Sequence, residues 1–441
     1  MSTDLFSIGR SGAATARAAL DLTAQNIANA ATPGYVRRGA TIREVAATLP
    51  LAGGVSLSGA RVAGTARFAD PFRQSELRRT GGDQSRADAE LAGLRNAETA
   101  IEQSGLHPAL VGLRAAFDRL AADPTDPALR VVVLEAVRGA ADSFSITSQS
   151  LEAAQAGLIE SAAADTARVN TLAQDLARVN LELVRAGGGD RSVLLDRRDA
   201  LLEGLSQSVD VATAFAADGS VTVRVGGTGG PALVALGTVQ PLALTAAANG
   251  TLGFTLGGTA VNFARGTLAG AAQALTRLAG TRSELDASAA ALIATLNTAQ
   301  ANGAAFDGSP GAPLLSGTGA GDIALALTSP DQLATAPLGS SAGSRDGTNL
   351  AALRAALTTT DPAGRIDTLL LEVSGAIASR AITRDALSSI ANSAREAFSA
   401  QSGVDLDQEA VNLVRFQQAF QASGKVLQTA ATLFDTLLAI R

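Results

Sequence analysis

The sequence contains no cysteine and no tryptophan, and it has only one histidine and one tyrosine. Without cysteine the chain has no disulfide, no thiol nucleophile and few ways to build a structural zinc site. A single histidine, His107, excludes the two-histidine motif of zinc metalloproteases, and the absence of Gly-Lys-Ser or Gly-Lys-Thr excludes a Walker phosphate loop. We interpret His107, which precedes Pro108, as a residue at a helix start rather than a catalytic group.

Positive charge is supplied almost entirely by arginine, since Lys425 is the single lysine. The formal net charge is −6, and no basic run or stripe is present, so we expect no nucleic-acid partner. No apolar run approaches the roughly 20 residues that cross a bilayer, so we expect no membrane partner. The first 20 residues lack a basic segment followed by an apolar one, which predicts that there is no cleavable signal peptide.

Aromatic residues make up 3% of the chain, although hydrophobic residues make up 46%. Much of that fraction is alanine, which favours closely packed helices over a thick globular core. The length of 441 residues is enough for two to four domains. The composition therefore predicts a mainly α protein.

The first helix is predicted from Leu5 to about Asn29, and its small and apolar residues form two neighbouring rows. One row is Phe6, Gly9, Ala13, Ala16, Leu20, Thr23 and Ile27, and the other is Ile8, Gly12, Thr15, Ala19, Leu22 and Asn26. Two adjacent rows indicate contact with more than one neighbour. Pro33 and Gly34 fit the centre of a type II turn, which ends this segment just before Tyr35.

The last helix carries the most regular pattern in the sequence. Large residues recur every seven positions, at Leu406, Leu413, Phe420, Leu427 and Phe434. A companion row follows four residues behind, at Ala410, Gln417, Gly424, Ala431 and Leu438. Asp405 and Gln408 fit a capping box at the helix start. The repeat favours coiled-coil packing, although a bundle core would show the same pattern.

Between the two ends, helix-forming segments alternate with β-forming ones. Residues 35–70 predict short strands in a connector, and helices are predicted from about 71 to 186 and over "SVLLDRRDALLEGLSQ". The clearest helical spacing, three and four residues apart, is that of Val169, Leu172, Leu176, Val179 and Leu183. We interpret the charges of "LDRRD" at 195–199 as a solvated helix face. Short alternating runs predict a β domain at 209–265, and helix resumes from about 267 to 300. Residues 301–347, rich in Gly, Ser, Ala and Pro, predict an irregular excursion.

The two terminal helices have too few large side chains to be stable alone. Burying five large residues of the last helix contributes about 8–15 kcal/mol, whereas ordering about 35 backbones costs about 1–2 kcal/mol each. Hydrogen bonding offsets part of that cost, but an isolated helix of this kind is marginal. We therefore predict that the terminal helices pair with each other and with other copies, and that they are mobile in the monomer.

The terminal segments carry a resemblance to a known family. The stretch "LDLTAQNIANAATPGYVRR" resembles the N-terminal signature of bacterial flagellar rod, hook and hook-associated axial proteins. The end "SGVDLDQEAVNLVRFQQAFQASGKVLQTAATLFDTLLAIR" resembles the C-terminal signature of the same family. "SVLLDRRDALLEGLSQSVDV" and "FRQSELRRTGGDQSRADAEL" are similar to segments of the members that join the hook to the filament. The resemblance is weak from about 211 to 400.

The resemblance implies a mainly α fold with a smaller β insertion, in which paired terminal helices form a coiled coil, long helices form a rod-like domain and the β domain lies outside. The implied domains are 1–34 with 403–441 for assembly, and 35–208 with 266–300 and 348–402 as the helical rod. The inserted β domain is 209–265, and 301–347 is the irregular excursion. Two positions depart from the family pattern, since Phe420 stands where Tyr is frequent and Gly424 where Ala is usual.

The resemblance also implies a non-enzymatic structural role without a cofactor. The expected partners are copies of the chain, the hook protein, the next hook-associated protein and an export chaperone. The chain would be secreted unfolded by the flagellar type III apparatus and located in the flagellum. We expect an assembly interface made of Leu5, Ile8, Leu20, Leu22, Asn26, Ile27, Asn29, Pro33, Gly34, Tyr35, Leu406, Leu413, Phe416, Phe420, Leu427, Phe434 and Leu438.

Three alternatives stay open at this point. The chain could be another rod or hook axial protein, because the terminal signatures are shared within the family. It could be a type III-secreted coiled-coil translocator or effector. An enzyme within residues 211–347 is the weakest alternative, because that region has few polar residues that could converge on a site.

Overall fold

The computed structural model describes residues 2–45, 59–187 and 190–439. The chain forms two compact units. The first comprises Met1–Gly82, Asn170–Pro241 and Ser388–Arg441, and the second comprises Asp83–Val169 and Leu242–Leu387. Each unit is described separately below.

Nine α-helices dominate the described residues, which confirms the prediction of a mainly α protein. They are α1 (Ser2–Ala28), α2 (Pro71–Glu102), α3 (Leu106–Leu120), α4 (Pro127–Ala186), α5 (Ser192–Ser208), α6 (Thr267–Ala301), α7 (Thr348–Thr360), α8 (Pro362–Ser402) and α9 (Leu406–Ala439). Among the described residues, one 3-10 turn spans Pro330–Gln332. The side chain of Asp405 accepts hydrogen bonds from the backbone N–H groups of Asp407 and Gln408, so it caps α9.

The strands are short and lie in five small antiparallel sheets within the described residues. They are β1 (Arg38–Glu44), β2 (Ala60–Arg67), β3 (Val211–Phe215), β4 (Val221–Val225), β5 (Ala232–Ala235), β6 (Thr238–Val239), β7 (Leu242–Ala246), β8 (Leu252–Leu256), β9 (Thr259–Val261), β10 (Gly303–Ala304), β11 (Leu315–Ser316), β12 (Ala324–Leu325) and β13 (Ala336–Pro337). The sheets pair β1 with β2, β3 through β6 in order, β7 through β9 in order, β10 with β13, and β11 with β12.

In the first unit, the C-terminal part of α4 packs with α5 and the β3–β6 sheet. Leu176, Val179 and Leu183 are fully buried, in agreement with the predicted helical spacing. Asn180 lies among them, and its side-chain amide bonds the backbone of Val221 in both directions, at 2.9 Å each. A buried amide satisfied in this way fixes the sheet against the helix. The β1–β2 hairpin, the α1–α9 pair, the start of α2 and the end of α8 complete this unit.

The second unit has a continuous hydrophobic core formed by α3, α6, α7 and the parts of α2, α4 and α8 that it contains. Phe117 and Phe144 are fully buried in this core. Arg130 is buried beside it, and its guanidinium donates hydrogen bonds to the backbone oxygens of Pro124 and Leu333. Burial lowers the pKa of Arg130 from its ordinary value. The excursion at 301–347 is thereby anchored although its strands are only two residues long.

The segment predicted as one β domain at 209–265 contains two sheets. The β3–β6 sheet belongs to the first unit and the β7–β9 sheet to the second. The hairpin predicted at Asn249 and Gly250 joins β7 to β8, where Gly250 adopts a positive φ of 85°. The four-part division of the chain stated above remains a prediction.

Candidate assembly interface

The first and last helices pack against each other in an antiparallel pair. A β-carbon at Gly9 would lie 2.9 Å from Cγ of Leu427, and one at Gly12 would lie 2.8 Å from Oγ of Ser423. As the residue number rises along α1, the facing number falls along α9, which defines the antiparallel register. Glycine permits this approach because it has no side chain to separate the two helices.

Along α1, the predicted interface residues do not share one environment. Asn26 is buried, whereas Ile8, Leu20 and Leu22 are half-buried. Leu5 and Ile27 are exposed, as is Phe6 beside Leu5. The buried face of α1 consists mainly of small residues, namely Gly9, Thr15, Ala16, Ala19, Thr23 and Asn26. The β1–β2 hairpin covers part of this face, since Thr15 donates to the carbonyl of Ala60 and Asn26 bonds the backbone of Arg38.

Along α9, the predicted residues divide between the contact with α1 and the surface. Leu413, Phe416 and Leu427 are half-buried. Leu406, Phe420 and Phe434 are exposed by 54%, 44% and 46%. The side chain of Leu438 lies outside the part of the chain that the structure describes. Three of the six predicted residues on α9 whose side chains are described are thus left exposed by the rest of this chain.

Exposed and half-buried side chains alternate along the seven-residue row of α9. Leu413 and Leu427 are half-buried, and the exposed Leu406, Phe420 and Phe434 lie on either side of them. We name Leu406, Phe420 and Phe434 the exposed apolar face of α9, because at about 100° per residue they lie within about 80° of one another around the helix. Large apolar side chains left exposed on one side of a paired helix form a surface suited to protein contact.

A groove of about 660 Å³ lies between the N-terminal half of α1 and the C-terminal half of α9. Phe6 and Leu427 line it together with Arg10, and Ser7, Ser11 and Ala14 complete the lining. Its walls therefore come from both terminal helices. The groove therefore exists only when α1 and α9 are paired, and the paired helices then present both the groove and the exposed apolar face of α9.

The turn after α1 is held by Asn26. Its Nδ2 donates to the carbonyl of Arg38 at 2.8 Å, and its Oδ1 accepts from the N–H of Arg38 at 3.0 Å and from the hydroxyl of Tyr35 at 2.8 Å. Gly34 has a φ of 77°, which a glycine adopts without strain, as the turn prediction required. The hydroxyl of Tyr35, the single tyrosine of the chain, therefore stabilises the bend through a hydrogen bond to a buried amide.

The environment of Tyr35 is apolar enough to change its titration. Burial raises the pKa of the Tyr35 hydroxyl from its ordinary value, and the nearby guanidinium of Arg38 offsets part of that rise. The Arg38 guanidinium lies over the ring, 4.9 Å from its centroid. Asn29 has a lesser role, because its amide donates only to the carbonyl of Gln25, in an exposed position. Pro33 is exposed.

The hairpin after the turn is joined to α5 by a network of ion pairs that the sequence did not reveal. The carboxylate of Asp196 accepts from Arg38 Nη2 at 2.7 Å and from Arg67 Nε at 2.6 Å. Arg67 Nη1 also lies 2.8 Å from Asp199, which accepts a second bond from Gln74 Nε2 at 2.7 Å. Arg38 and Arg67 lie at the two ends of one cross-strand pair of β1 and β2. Both ends of the connector are therefore fixed to α5.

The interpretation of "LDRRD" as a solvated face is wrong. Arg198 is buried, and its guanidinium donates to Asp199 and to the carbonyl of Gly219 at 2.6 Å. Asp196 and Asp199 are only 13% and 11% exposed. Charges on one helix are solvated unless a second element brings counter-ions, and the β1–β2 hairpin brings them. Only the similarity of this segment to the family gave a reason to notice it.

A further ion pair connects the turn after α1 to the start of α9. Arg37 Nε donates to the carboxylate of Glu409 at 2.6 Å, and Glu409 is 2% exposed. The N–H of Arg37 also donates to the carbonyl of Ser402 at 2.9 Å. Since a buried carboxylate is costly without a partner, this pair sets the position at which α9 meets the end of α1.

The described residues hold no group of three or more His, Asp and Glu side chains placed to bind a metal ion. Among the same residues, no helix is long and apolar enough to cross a membrane.

Three family models match the chain. Residues 94–315 match the flagellar hook-associated protein FlgK helical domain. This chain belongs to the FlgK family. Residues 6–35 match the flagella basal body rod protein family, and residues 395–440 match the C-terminal family of the flagellar basal body rod FlgEFG proteins. The two shorter matches cover α1 and α9, the helices that form the pair described above.

Individual relatives agree with this assignment. The chain is 26% identical over 232 residues to flagellar hook-associated protein 1 of Salmonella typhimurium, which covers 51% of this chain and 40% of that protein. It is 25% identical over 229 residues to the protein of the same name from Bacillus subtilis, covering 47% and 45%. The chain thus spans less than half the length of the curated relatives it matches.

A solved structure shows the same fold over part of the chain. The flagellar hook junction protein FlgK from Burkholderia pseudomallei superposes with a TM-score of 0.50 and 19% identity. The match covers 54% of this chain and 46% of that one. With this similarity, the fold class expected from the sequence is confirmed.

Proposed function

We propose that this chain is a structural subunit of the bacterial flagellum that joins the hook to the filament, and that it is not an enzyme. The family membership supports this proposal, as do the names of the relatives, which are hook-associated proteins. The match to the helical domain favours this member of the family over the rod and hook proteins, whose models match only the two ends.

The observation that carries the proposal is the exposed apolar face of α9. Leu406, Phe420 and Phe434 remain near half exposed although α9 is already paired with α1. Each such side chain contributes about 1.5–3 kcal/mol when fully buried, so covering this face with neighbouring subunits would strongly favour assembly. Non-directional apolar contact between repeated copies is the physical basis of such a lattice.

Within this proposal, the 17 residues predicted for the interface have two roles. Asn26, Tyr35 and Leu427 with their neighbours position the helix pair, while Leu5, Leu406, Phe420 and Phe434 contact other subunits. The partners would be copies of the chain, the hook protein, the next hook-associated protein and an export chaperone. Export would be by the flagellar type III apparatus.

We further propose that the paired termini gain most of their stability on assembly. The buried face of α1 is built from small residues, and Leu406, Phe420 and Phe434 of α9 stay exposed in the monomer, so little of the apolar surface of the large side chains is covered before assembly. Amide hydrogen exchange on the monomer should show weak protection at residues 5–29 and 406–438. Strong protection there, equal to that of the fully buried α4 residues, would contradict this part.

The proposed function is tested by removing residues 406–441 in a motile strain that carries this chain. The region 70–345 should stay folded, because its cores use no residue of α9. The truncated chain should fail to join hooks, and filament subunits should be lost to the medium. The control is the full-length chain expressed from the same locus. Normal motility and complete filaments in the deletion strain would overturn the proposal.

A further inference from the structure

A buried carboxylate in the second unit is surrounded by three arginines from three helices. Glu90 of α2 has a side chain only 2% exposed. Its carboxylate lies 2.8 Å from Nε of Arg380 on α8, 3.6 Å from Nε of Arg277 on α6 and 3.5 Å from Nη1 of Arg86, one turn earlier on α2. Only the first of these distances is that of a hydrogen bond.

The three arginines carry more hydrogen-bond donors and more positive charge than one carboxylate can satisfy. Three guanidiniums offer about fifteen N–H donors, whereas an ionised carboxylate accepts about four hydrogen bonds. One arginine suffices to neutralise Glu90, so the cluster carries a surplus of two positive charges. This surplus lies in a chain whose overall net charge is −6, so it is a local feature.

The surplus charge faces a cavity of about 520 Å³. Its charged lining residues, all in the described part of the chain, are Arg86, Glu90, Arg277 and Arg380. The opposite wall is apolar and comes from the β7–β9 sheet and the residues that follow it, with Leu252, Phe254 and Phe263 in the lining. The rings of Phe254 and Phe263 lie 5.0 Å apart. One side of the cavity therefore suits an anionic group and the other an apolar one.

The floor of the cavity is rigid. A β-carbon at Gly270 of α6 would lie 2.2 Å from the carbonyl oxygen of Arg86, so the backbones of α6 and α2 are in direct contact. Arg277 is two turns along α6 from this point, and Glu90 is one turn along α2. A ligand would therefore meet Arg86 and Arg277 on helices whose backbones are fixed against each other, which lowers the cost of binding.

We propose that this cavity binds a small molecule that carries a phosphate or carboxylate group and an apolar or aromatic part. The anionic group would accept hydrogen bonds from Arg277 and Arg380, which are 44% and 35% exposed. The apolar part would lie against Leu252 and Phe263. Glu90 would act as a positioning residue. It holds the guanidiniums in place, but its single negative charge does not cancel their three positive charges. This inference is independent of the proposed role in the flagellum.

The test uses the full-length chain and two probes, inorganic phosphate and phenyl phosphate, titrated calorimetrically at constant ionic strength near pH 8. Both probes are largely dianionic there. We expect saturable binding of each, with a Kd for phenyl phosphate about tenfold lower because its ring covers the apolar wall. Absence of saturable binding for both probes would overturn the proposal. Equal Kd values would overturn the assignment of the apolar wall.

Matched variants locate the binding. Arg277→Gln and Arg380→Gln should each weaken phosphate binding by about tenfold or more, as expected for loss of a charge-assisted hydrogen bond. The control is Arg354→Gln, which removes an arginine of similar exposure, 39%, that pairs with Asp118 at 2.6 Å outside the cavity. Phosphate affinity in the control should equal that of the unmodified chain. Unchanged affinity in the Arg277 and Arg380 variants would overturn the proposal.

Glu90→Gln separates a ligand site from a purely structural ion cluster. Replacing the carboxylate raises the local surplus charge by one unit, so phosphate should bind more tightly than in the unmodified chain. If the arginines only serve to neutralise Glu90, the variant loses stability and phosphate does not restore its thermal midpoint. That second result would contradict the proposal.

Discussion

Gly9 of α1 lies directly against Leu427 of α9, and a β-carbon at position 9 would stand 2.9 Å from Leu427 Cγ. This contact brings together two residues from opposite ends of the chain. We predict that Gly9→Leu separates the helices and destabilises the α1–α9 pair by about 1–3 kcal/mol, because the added side chain has no space. Hydrogen exchange of amides in both helices measures the effect in the assembled junction, where neighbouring subunits stabilise the pair.

Two control substitutions accompany Gly9→Leu. Ala24→Leu adds a side chain at an exposed position of the same helix and should leave the pair intact. Gly424→Ala should stabilise α9 by about 1 kcal/mol, because a β-carbon there meets nothing within 4 Å and alanine favours the helix. Equal effects of leucine at positions 9 and 24 would show that the close approach is unimportant.

Asn26 and Asn29 differ in burial, and their alanine variants should differ accordingly. Asn26→Ala leaves the N–H and carbonyl of Arg38 and the hydroxyl of Tyr35 without their partner, which should cost at least about 2 kcal/mol in the free energy of unfolding. Asn29→Ala removes two exposed side-chain hydrogen bonds, one to the carbonyl of Gln25 and one from the hydroxyl of Thr32, and should cost less than about 1 kcal/mol. Denaturant titration of both variants checks this, and similar losses would refute the assigned role of Asn26.

Asp196 should matter far more than a typical surface carboxylate. Asp196→Ala leaves the buried guanidiniums of Arg38 and Arg67 without a shared counter-ion, so we expect a loss of about 3–5 kcal/mol. Glu135→Ala breaks an exposed pair with Arg138 and should change stability by less than about 0.5 kcal/mol. Thermal unfolding compares the two variants. A loss for Asp196→Ala no larger than for Glu135→Ala would contradict the proposed anchoring of the connector.

Tyr35 provides a direct optical reading of the turn, because it is the single tyrosine and the chain has no tryptophan. Burial raises its folded pKa above the ordinary value of 10.0. The protonated form is thus favoured by folding, so its contribution to stability is complete below about pH 10 and is lost as the pH rises through the folded pKa. Tyrosinate absorbance should titrate at higher pH in the native chain than in denaturant. Identical titration curves for the native and the denatured chain would show that the Tyr35 hydroxyl is exposed, which would contradict this prediction.

The sequence predicted the regular elements well because their signals are local. Helix α6 was expected from about 267 to 300 and spans Thr267–Ala301, and the spacing of Val169, Leu176 and Leu183 correctly identified a buried helix face. Hydrophobic periodicity reports which face of an element is covered. It does not report what covers that face, so the same heptad row on α9 fitted both a bundle core and an assembly surface.

The contacts that fix the interface were not predictable from such patterns. Asp196 and its partner Arg67 are 129 positions apart, and Arg37 is 372 positions from Glu409. Neither ion pair produces a periodic pattern in the sequence, and a charged run on a helix is solvated in most proteins. The exposure of Phe420 also escaped the heptad analysis, because a seven-residue repeat does not show how far the partner helix covers each position.

Electron microscopy of hook tips tests the central claim most directly, by comparing two charge-introducing substitutions on α9. Phe420→Asp places a carboxylate on the exposed apolar face, where burial between subunits would leave it unpaired. Gln418→Asp introduces the same charge at an exposed position of α9 outside that face. We predict bare hook tips and no filaments with Phe420→Asp, and normal junctions with Gln418→Asp. Normal junctions with both variants would contradict the account.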